Sequence, residues 1–238
     1  KRQPAIPYGK EFAAAHVELP KKIVAACKAT GVKHLVHMSA LHASNRAPSE
    51  YLRSKAAGEA VVNESGLITT IFRPSVIFGM RDTFLNMFAK LLRTFPILPL
   101  ASAGARFQPV AVSDVADAFV QALTNPSMQN KTFDLCGPKV YTLKELVAYT
   151  GEVIGYKRKL IELPESLAYV QAGFLSLLPN PMISQDNLRS MEVDSVWTSD
   201  CVAPAGWNPQ PLEAVAPLYL LDSGDAAQLA EYRSRAGR

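Results

Sequence analysis

The chain has 238 residues, 48% of them hydrophobic and 19% charged, with a formal net charge of +4. That length buries a full core, and the composition is too apolar for a disordered chain. The positive charge is scattered with no basic block, which argues against nucleic acid as a partner, and no apolar run is long enough to span a bilayer as a helix.

Residues Phe12 to Thr30 have apolar side chains at helical spacing, with Pro20 expected to kink or break the helix and Gly31 to end it. His34 to Ala40 reads as a buried parallel strand, apolar on both faces. A polar loop from Ala43 to Pro48 leads to Ser49, the expected N-cap of a helix that carries Tyr51 and Lys55 and runs to about Glu64. Gly66 stops that helix, and Thr69 to Ser75 reads as the next strand.

Farther on, Thr83 to Thr94 is an amphipathic helix, with Phe84, Met87, Phe88 and Leu91 on one face and expected in the core. Pro96, Pro99 and Gly104 mark a loop. Phe107 to Val112 is strand-like, and Ser113 or Asp114 is expected to cap a helix from Val115 to Leu123. Lys131 to Cys136 is a strand. Thr142 caps a helix to about Ile154, with Glu145 at capping-box spacing. Lys159 to Leu163 is a short strand, Glu165 to Leu178 an apolar helix, and Ser184 to Glu192 a short polar helix. Asp222 to Arg238 is polar and expected to fray.

Alternating strands and helices imply an α/β fold on a mainly parallel sheet. The expected organisation is a partial Rossmann-like domain over 1–141, a small irregular lobe over 142–221 and a tail over 222–238. Cys27, Cys136 and Cys201 have no paired spacing and are expected as reduced thiols of an intracellular protein. His16, His34, His37 and His42 lack metal-ligand spacing, so no metal site is expected, and His34 and His37 read as packing residues.

The chemistry centres on Ser39, Tyr51 and Lys55. Positions i and i+4 share a helical face, so Lys55 approaches Tyr51. A nearby ammonium is expected to lower the pKa of a phenol and make it a general acid/base. A serine at the carboxyl end of a buried parallel strand stands where open α/β sheets bind ligands. A Tyr-x-x-x-Lys pair alone is common on exposed helices. The order strand, Ser, loop, Tyr-x-x-x-Lys, helix, strand, Arg-Pro is far more specific.

Three segments carry a resemblance: Val36-His37-Met38-Ser39-Ala40, Tyr51-Leu52-Arg53-Ser54-Lys55-Ala56-Ala57-Gly58-Glu59, and Arg73-Pro74-Ser75-Val76-Ile77-Phe78-Gly79. Together they resemble an extended or atypical short-chain dehydrogenase/reductase of the NAD-dependent epimerase/dehydratase kind. With His16-Val17-Glu18-Leu19-Pro20, Arg81-Asp82-Thr83-Phe84-Leu85-Asn86, Gln108-Pro109-Val110 and Asp186-Asn187, the chain more narrowly resembles the accessory Rossmann-fold subunit family of respiratory complex I.

The resemblance implies a catalytic Tyr51, a Lys55 that holds the nicotinamide ribose, an active-site Ser39, and a loop of Pro74, Ser75, Val76 and Ile77 beside the nicotinamide. It implies NAD(P)(H) as cofactor. The family's glycine-rich phosphate-binding turn has no counterpart in this sequence. The chain is therefore expected to be a fragment holding the C-terminal half of a doubly wound sheet. The implied function is nucleotide binding for a structural, assembly or sensing role, with complex I or another membrane-associated partner. The alternative is an active oxidoreductase, epimerase or dehydratase on a nucleotide-sugar, steroid-like or quinone-related substrate. The implied location is the cytoplasm or the inner face of a bacterial inner membrane, or the mitochondrial matrix side.

Overall fold

Strand β1 (His34–Met38) lies parallel to β2 (Ile68–Pro74), with His34 opposite Ile68 and Met38 opposite Phe72. On its other side β2 lies parallel to β7 (Lys131–Leu135), from Thr70 opposite Lys131 to Pro74 opposite Leu135. The order is β1-β2-β7. The computed structural model describes residues 8–164 and 184–221. The apolar helix expected over Glu165 to Leu178 and the tail from Asp222 lie outside the described residues.

The central strand is buried because both faces are covered. Ile71 and Phe72 are fully buried. Phe72 packs on Phe119 and Phe133, with ring centroids 4.9 and 6.0 Å away. Thr70 is also buried, and its hydroxyl donates to the Met128 carbonyl at 2.9 Å and meets His34 Nε2 at 3.0 Å. A polar group in this core is thus fully bonded, as burial requires. The helix α3 (Glu50–Asn63) links β1 to β2. This is the expected α/β architecture on parallel strands.

Ahead of β1 the chain is helical from α1 (Lys10–Ala13) through a π turn (Ala14–Glu18) into α2 (Leu19–Thr30). Pro20 does not end the helix. It sits in the first turn of α2 after the π turn, where its missing N–H is tolerated. Gly31 closes α2 in the left-handed conformation, with φ of 73°.

After β2, β3 (Ile77–Phe78) pairs with β6 (Val110–Ala111), and α4 (Leu85–Thr94) buries Leu85, Phe88, Ala89 and Leu92. The stretch expected as a loop forms β4 (Ile97–Leu100), parallel to β9 (Lys159–Glu162). Leu98 and Leu100 are buried while Ile97 and Pro99 are exposed, and among the described residues β4 pairs with β9 alone, so the proline sits in an edge strand. The single strand expected over Phe107 to Val112 is split into β5 (Arg106–Phe107) and β6, and β5 pairs antiparallel with β8 (Tyr141–Thr142).

Helix α5 (Val112–Thr124) begins without a side-chain cap. Asp114 was expected to supply one; its carboxylate instead accepts from the Gln210 backbone and side-chain amides, both at 2.8 Å. By contrast, the capping box at Thr142 and Glu145 forms as expected at the start of α6 (Leu143–Val153). The core beneath α4 takes Phe78, Phe88 and Leu92 together with Leu143, Leu146 and Leu212, so residues after 142 pack directly on those before it. The polar helix α7 (Gln185–Ser190) and the apolar α8 (Leu212–Leu220) complete the described chain.

Gly137 follows β7 at a point where its backbone touches the Pro109 carbonyl. A Cβ there would overlap the Pro109 oxygen and carbon, both backbone atoms that cannot rotate away. Gly137→Ala is expected to lower stability by roughly 2–4 kcal/mol, through overpacking at a backbone contact. Urea unfolding measures this, and a change within error of zero would contradict the close approach.

Candidate functional site

The site is assembled where β1 and β2 end. Helix α3 starts beside it with an unusually complete N-terminus. The Ser49 hydroxyl accepts the Leu52 N–H, while the Asp186 carboxylate accepts the N–H groups of Glu50 at 2.7 Å and Tyr51 at 3.0 Å. A carboxylate at this end also favours the helix dipole. Tyr51 is thereby fixed in the first turn, and Lys55 follows one turn later on the same face.

Lys55 Nζ lies 5.8 Å from the centroid of the Tyr51 ring and donates to the Met38 carbonyl at 3.4 Å. Ser39 extends the ladder by donating its N–H to the Phe72 carbonyl at 2.7 Å. Its hydroxyl is buried and has no hydrogen-bond partner. The turn after β2 is held from several sides. Leu41 N–H donates to the Pro74 carbonyl, Ser75 N–H to the Leu135 carbonyl, and Val110 N–H to the Val76 carbonyl, all at 2.9 to 3.0 Å. The Ser75 hydroxyl donates to the Ser195 carbonyl at 2.8 Å.

Ser39, Tyr51, Lys55, Pro74, Ser75, Val76 and Ile77 all line one cavity of about 760 Å³. Sequence reasoning thus singled out residues that the fold brings together. It also placed Phe84, Met87, Phe88 and Leu91 in the core, and all four pack in or against it. Phe88 is buried there, and Phe84, Met87 and Phe88 also line the cavity.

Three supporting contacts were not anticipated. The first is a bidentate ion pair: Arg73 Nε to Glu59 Oε1 at 2.8 Å and Nη2 to Oε2 at 2.5 Å. It ties the last part of β2 to α3. The second is the Asp186 cap. The third is His16 in the π turn, whose Nδ1 meets the Ser54 hydroxyl at 2.8 Å, while that hydroxyl donates to the Tyr51 carbonyl at 2.8 Å. With the hydroxyl proton committed to Tyr51, His16 Nδ1 is the donor in the first of these bonds. The π turn passes so close that a Cβ on Gly58 would overlap the His16 carbonyl.

Electrostatics correct one expectation. Lys55 was expected to lower the Tyr51 pKa, yet burial raises it. The ammonium stands over the ring rather than at the hydroxyl, and desolvation of the phenolate dominates. Lys55 is itself pulled down by burial, partly offset by Glu59. His37 is lowered by burial and by Lys55, and its Nε2 is buried without a partner. His34, by contrast, is satisfied by Thr70.

The residues present fit the nicotinamide end of a dinucleotide. A buried, unpartnered hydroxyl and a lysine stand on one wall, and a firmly bonded turn forms the other. A glycine-rich turn to receive the pyrophosphate is absent from the sequence.

His16 is pushed from 6.5 down to about 4, by burial first, then by Lys55 and His37. Over that interval the unfolded chain binds a proton that the folded chain refuses. Stability is therefore expected to fall as pH drops from 6.5 towards about 4. His16→Asn, which keeps a donor for Ser54, should flatten that slope and leave the part due to His37. Equal slopes in urea unfolding of the two proteins would contradict this.

Comparison with known proteins agrees with the geometry. Residues 9–126 match a family described as NAD(P)H-binding. The chain is 37% identical over 211 residues to NADH dehydrogenase (ubiquinone) 1 alpha subcomplex subunit 9, mitochondrial, of Mus musculus, covering 85% of this chain and 55% of that protein. The chain thus spans about half the length of that relative. The NADPH-dependent quinone oxidoreductase of Escherichia coli, solved with NADPH, superposes with a TM-score of 0.70 at 19% identity, covering 89% of this chain and 74% of that one. The UDP-glucose 4-epimerase of Thermotoga maritima gives 0.59 at 18% identity, covering 90% and 74%. At these identities the structural likeness speaks for the fold alone. The chain carries an NAD(P)-binding, Rossmann-like domain and is related to the alpha subcomplex subunit 9 of respiratory complex I.

Proposed function

We propose that this chain holds the nicotinamide end of NAD(P)(H) in the cavity at the ends of β1 and β2. The bound nucleotide serves a structural, assembly or sensing role beside respiratory complex I or another membrane-associated partner. The observation that carries the nucleotide site is the Ser39 hydroxyl, buried without a partner on the same wall as Lys55. A buried hydroxyl left unbonded is costly unless a ligand meets it. The relationship to a complex I subunit supports the partner and a location on the inner face of a bacterial inner membrane or the matrix side. Among the described residues no helix is long and apolar enough to cross a membrane.

A second reading, an NAD(P)-dependent oxidoreductase, is favoured by the grouping of Ser39, Tyr51 and Lys55. Lys55 would hold the ribose hydroxyls, and Pro74 to Ile77 would flank the nicotinamide. A bound reduced nicotinamide supplies hydride to a carbonyl carbon. Ser39 would orient the carbonyl oxygen, and Tyr51 would give that oxygen its proton. Burial keeps the Tyr51 hydroxyl protonated at neutral pH, which suits it to reduction rather than to proton abstraction.

Nucleotide titration and turnover of variants test both parts. Tyr51→Phe should leave nucleotide affinity within about twofold and lower any carbonyl-reducing turnover by about 100-fold or more, the usual share of a general acid. Lys55→Ala should weaken both. Unchanged affinity in Lys55→Ala would remove the nucleotide from this cavity, and unchanged turnover in Tyr51→Phe would remove Tyr51 from catalysis. Affinity capture of the tagged protein from detergent-solubilised membranes should recover respiratory subunits. Their absence from repeated captures would refute the proposed partner.

A further inference from the structure

We infer that the cavity selects an elongated apolar compound with one terminal carbonyl or hydroxyl group, and rejects nucleotide sugars. This rests on the oxidoreductase reading of the same site and adds its substrate class.

The polar groups that are free to meet a ligand gather at one end. Ser39 has an unpartnered hydroxyl, and Tyr51 and Lys55 stand beside it. The remaining polar groups on the wall are largely committed elsewhere. The Ser75 hydroxyl is bonded to Ser195. The Asn187 side-chain oxygen accepts from Ser184 N–H and its hydroxyl, both at 2.8 Å. Apart from Thr83 and Asn187, the wall beyond Tyr51 is apolar, formed by Phe84, Met87, Leu188 and Met191 among others.

A second cavity of about 320 Å³ meets the first at Tyr51, Phe84 and Met191, and extends the space towards Phe12 and Leu41. Its imidazole and its carboxylate are engaged. His42 Nε2 is bonded to the Val196 carbonyl, and the Asp186 carboxylate is bonded to the start of α3. Among the described residues, Lys55 is the one lysine or arginine on either wall, and Asp186 is the one carboxylate.

A nucleoside diphosphate brings two phosphate groups into a site, and burying them requires cations or a row of backbone N–H groups. With Lys55 claimed by the ribose, these walls offer no second ammonium or guanidinium. The same walls suit methylene groups. Met87 and Met191 are flexible and polarizable, and they adapt to chains of varying shape. A hydroxyl-rich sugar would leave its own groups unbonded against them.

The test is direct binding, read by calorimetry with and without NADPH. The probes are methyl ketones with butyl, octyl and dodecyl chains, and UDP-glucose. Affinity should rise by about fourfold per added methylene until the space is filled. UDP-glucose should bind more weakly than the dodecyl ketone. Met87→Asp and Met191→Asp should each flatten the dependence on chain length, with NADPH affinity unchanged. A flat series in the parent protein, or UDP-glucose binding more tightly than the dodecyl ketone, overturns the inference. A steep series in a protein that binds no NADPH supports the substrate class and fails the nucleotide reading. NADPH binding with a flat series does the opposite.

Discussion

The bidentate contact between Arg73 and Glu59 is the constraint on which the site depends. Glu59 is buried on α3, and Arg73 is one residue from the end of β2. The pair fixes the helix that carries Tyr51 and Lys55 against the strand that leads into Pro74, Ser75, Val76 and Ile77. Both halves of the cavity wall thus share one reference point. The parallel guanidinium–carboxylate geometry compensates two charges for lost solvent. Removing Arg73 would strand the buried Glu59 carboxylate, at a cost of up to about 3–5 kcal/mol, whereas Arg73, about a third exposed, would be met in part by water on loss of Glu59.

The remaining contacts refine the placement of α3. Gly58 lets the π turn lie directly on the helix, so His16 reaches Ser54 and, through it, the Tyr51 carbonyl. Asp186 clamps the other end, and its neighbours Asn187 and Leu188 line the cavity. The segment that shapes the apolar wall is therefore bonded to the first turn of the helix bearing Tyr51. Movement of α7 would alter both the pocket and the position of that turn. This explains why a short polar helix belongs beside an apolar cavity.

Much of this was legible in the sequence, because it is local. The run from β1 through α3 to β2 is punctuated by Ser49, Gly66 and Arg73-Pro74, and the four-residue step from Tyr51 to Lys55 needs only helical geometry. Other features were hidden for physical reasons. Pro99 disguised β4, because a proline is tolerated chiefly in edge strands, and β4 pairs with β9 alone among the described residues. Pro217 disguised α8 by interrupting an otherwise apolar helix. Asp114 looked like a cap but bonds Gln210, 96 residues away, and Asp186 caps a helix 136 residues before it. The direction of the Tyr51 shift was misjudged because burial, which outweighs the ammonium, is a property of the folded packing.

The structure determined with NADPH bound would be the most direct test of the central claim, that Ser39, Tyr51, Lys55 and the turn from Pro74 to Ile77 receive the nicotinamide end. The account predicts that Lys55 Nζ leaves the Met38 carbonyl for the ribose hydroxyls, and that the Ser39 hydroxyl gains a partner in the cavity. A nucleotide bound elsewhere, with Lys55 still on Met38 and Ser39 still unpartnered, would contradict it.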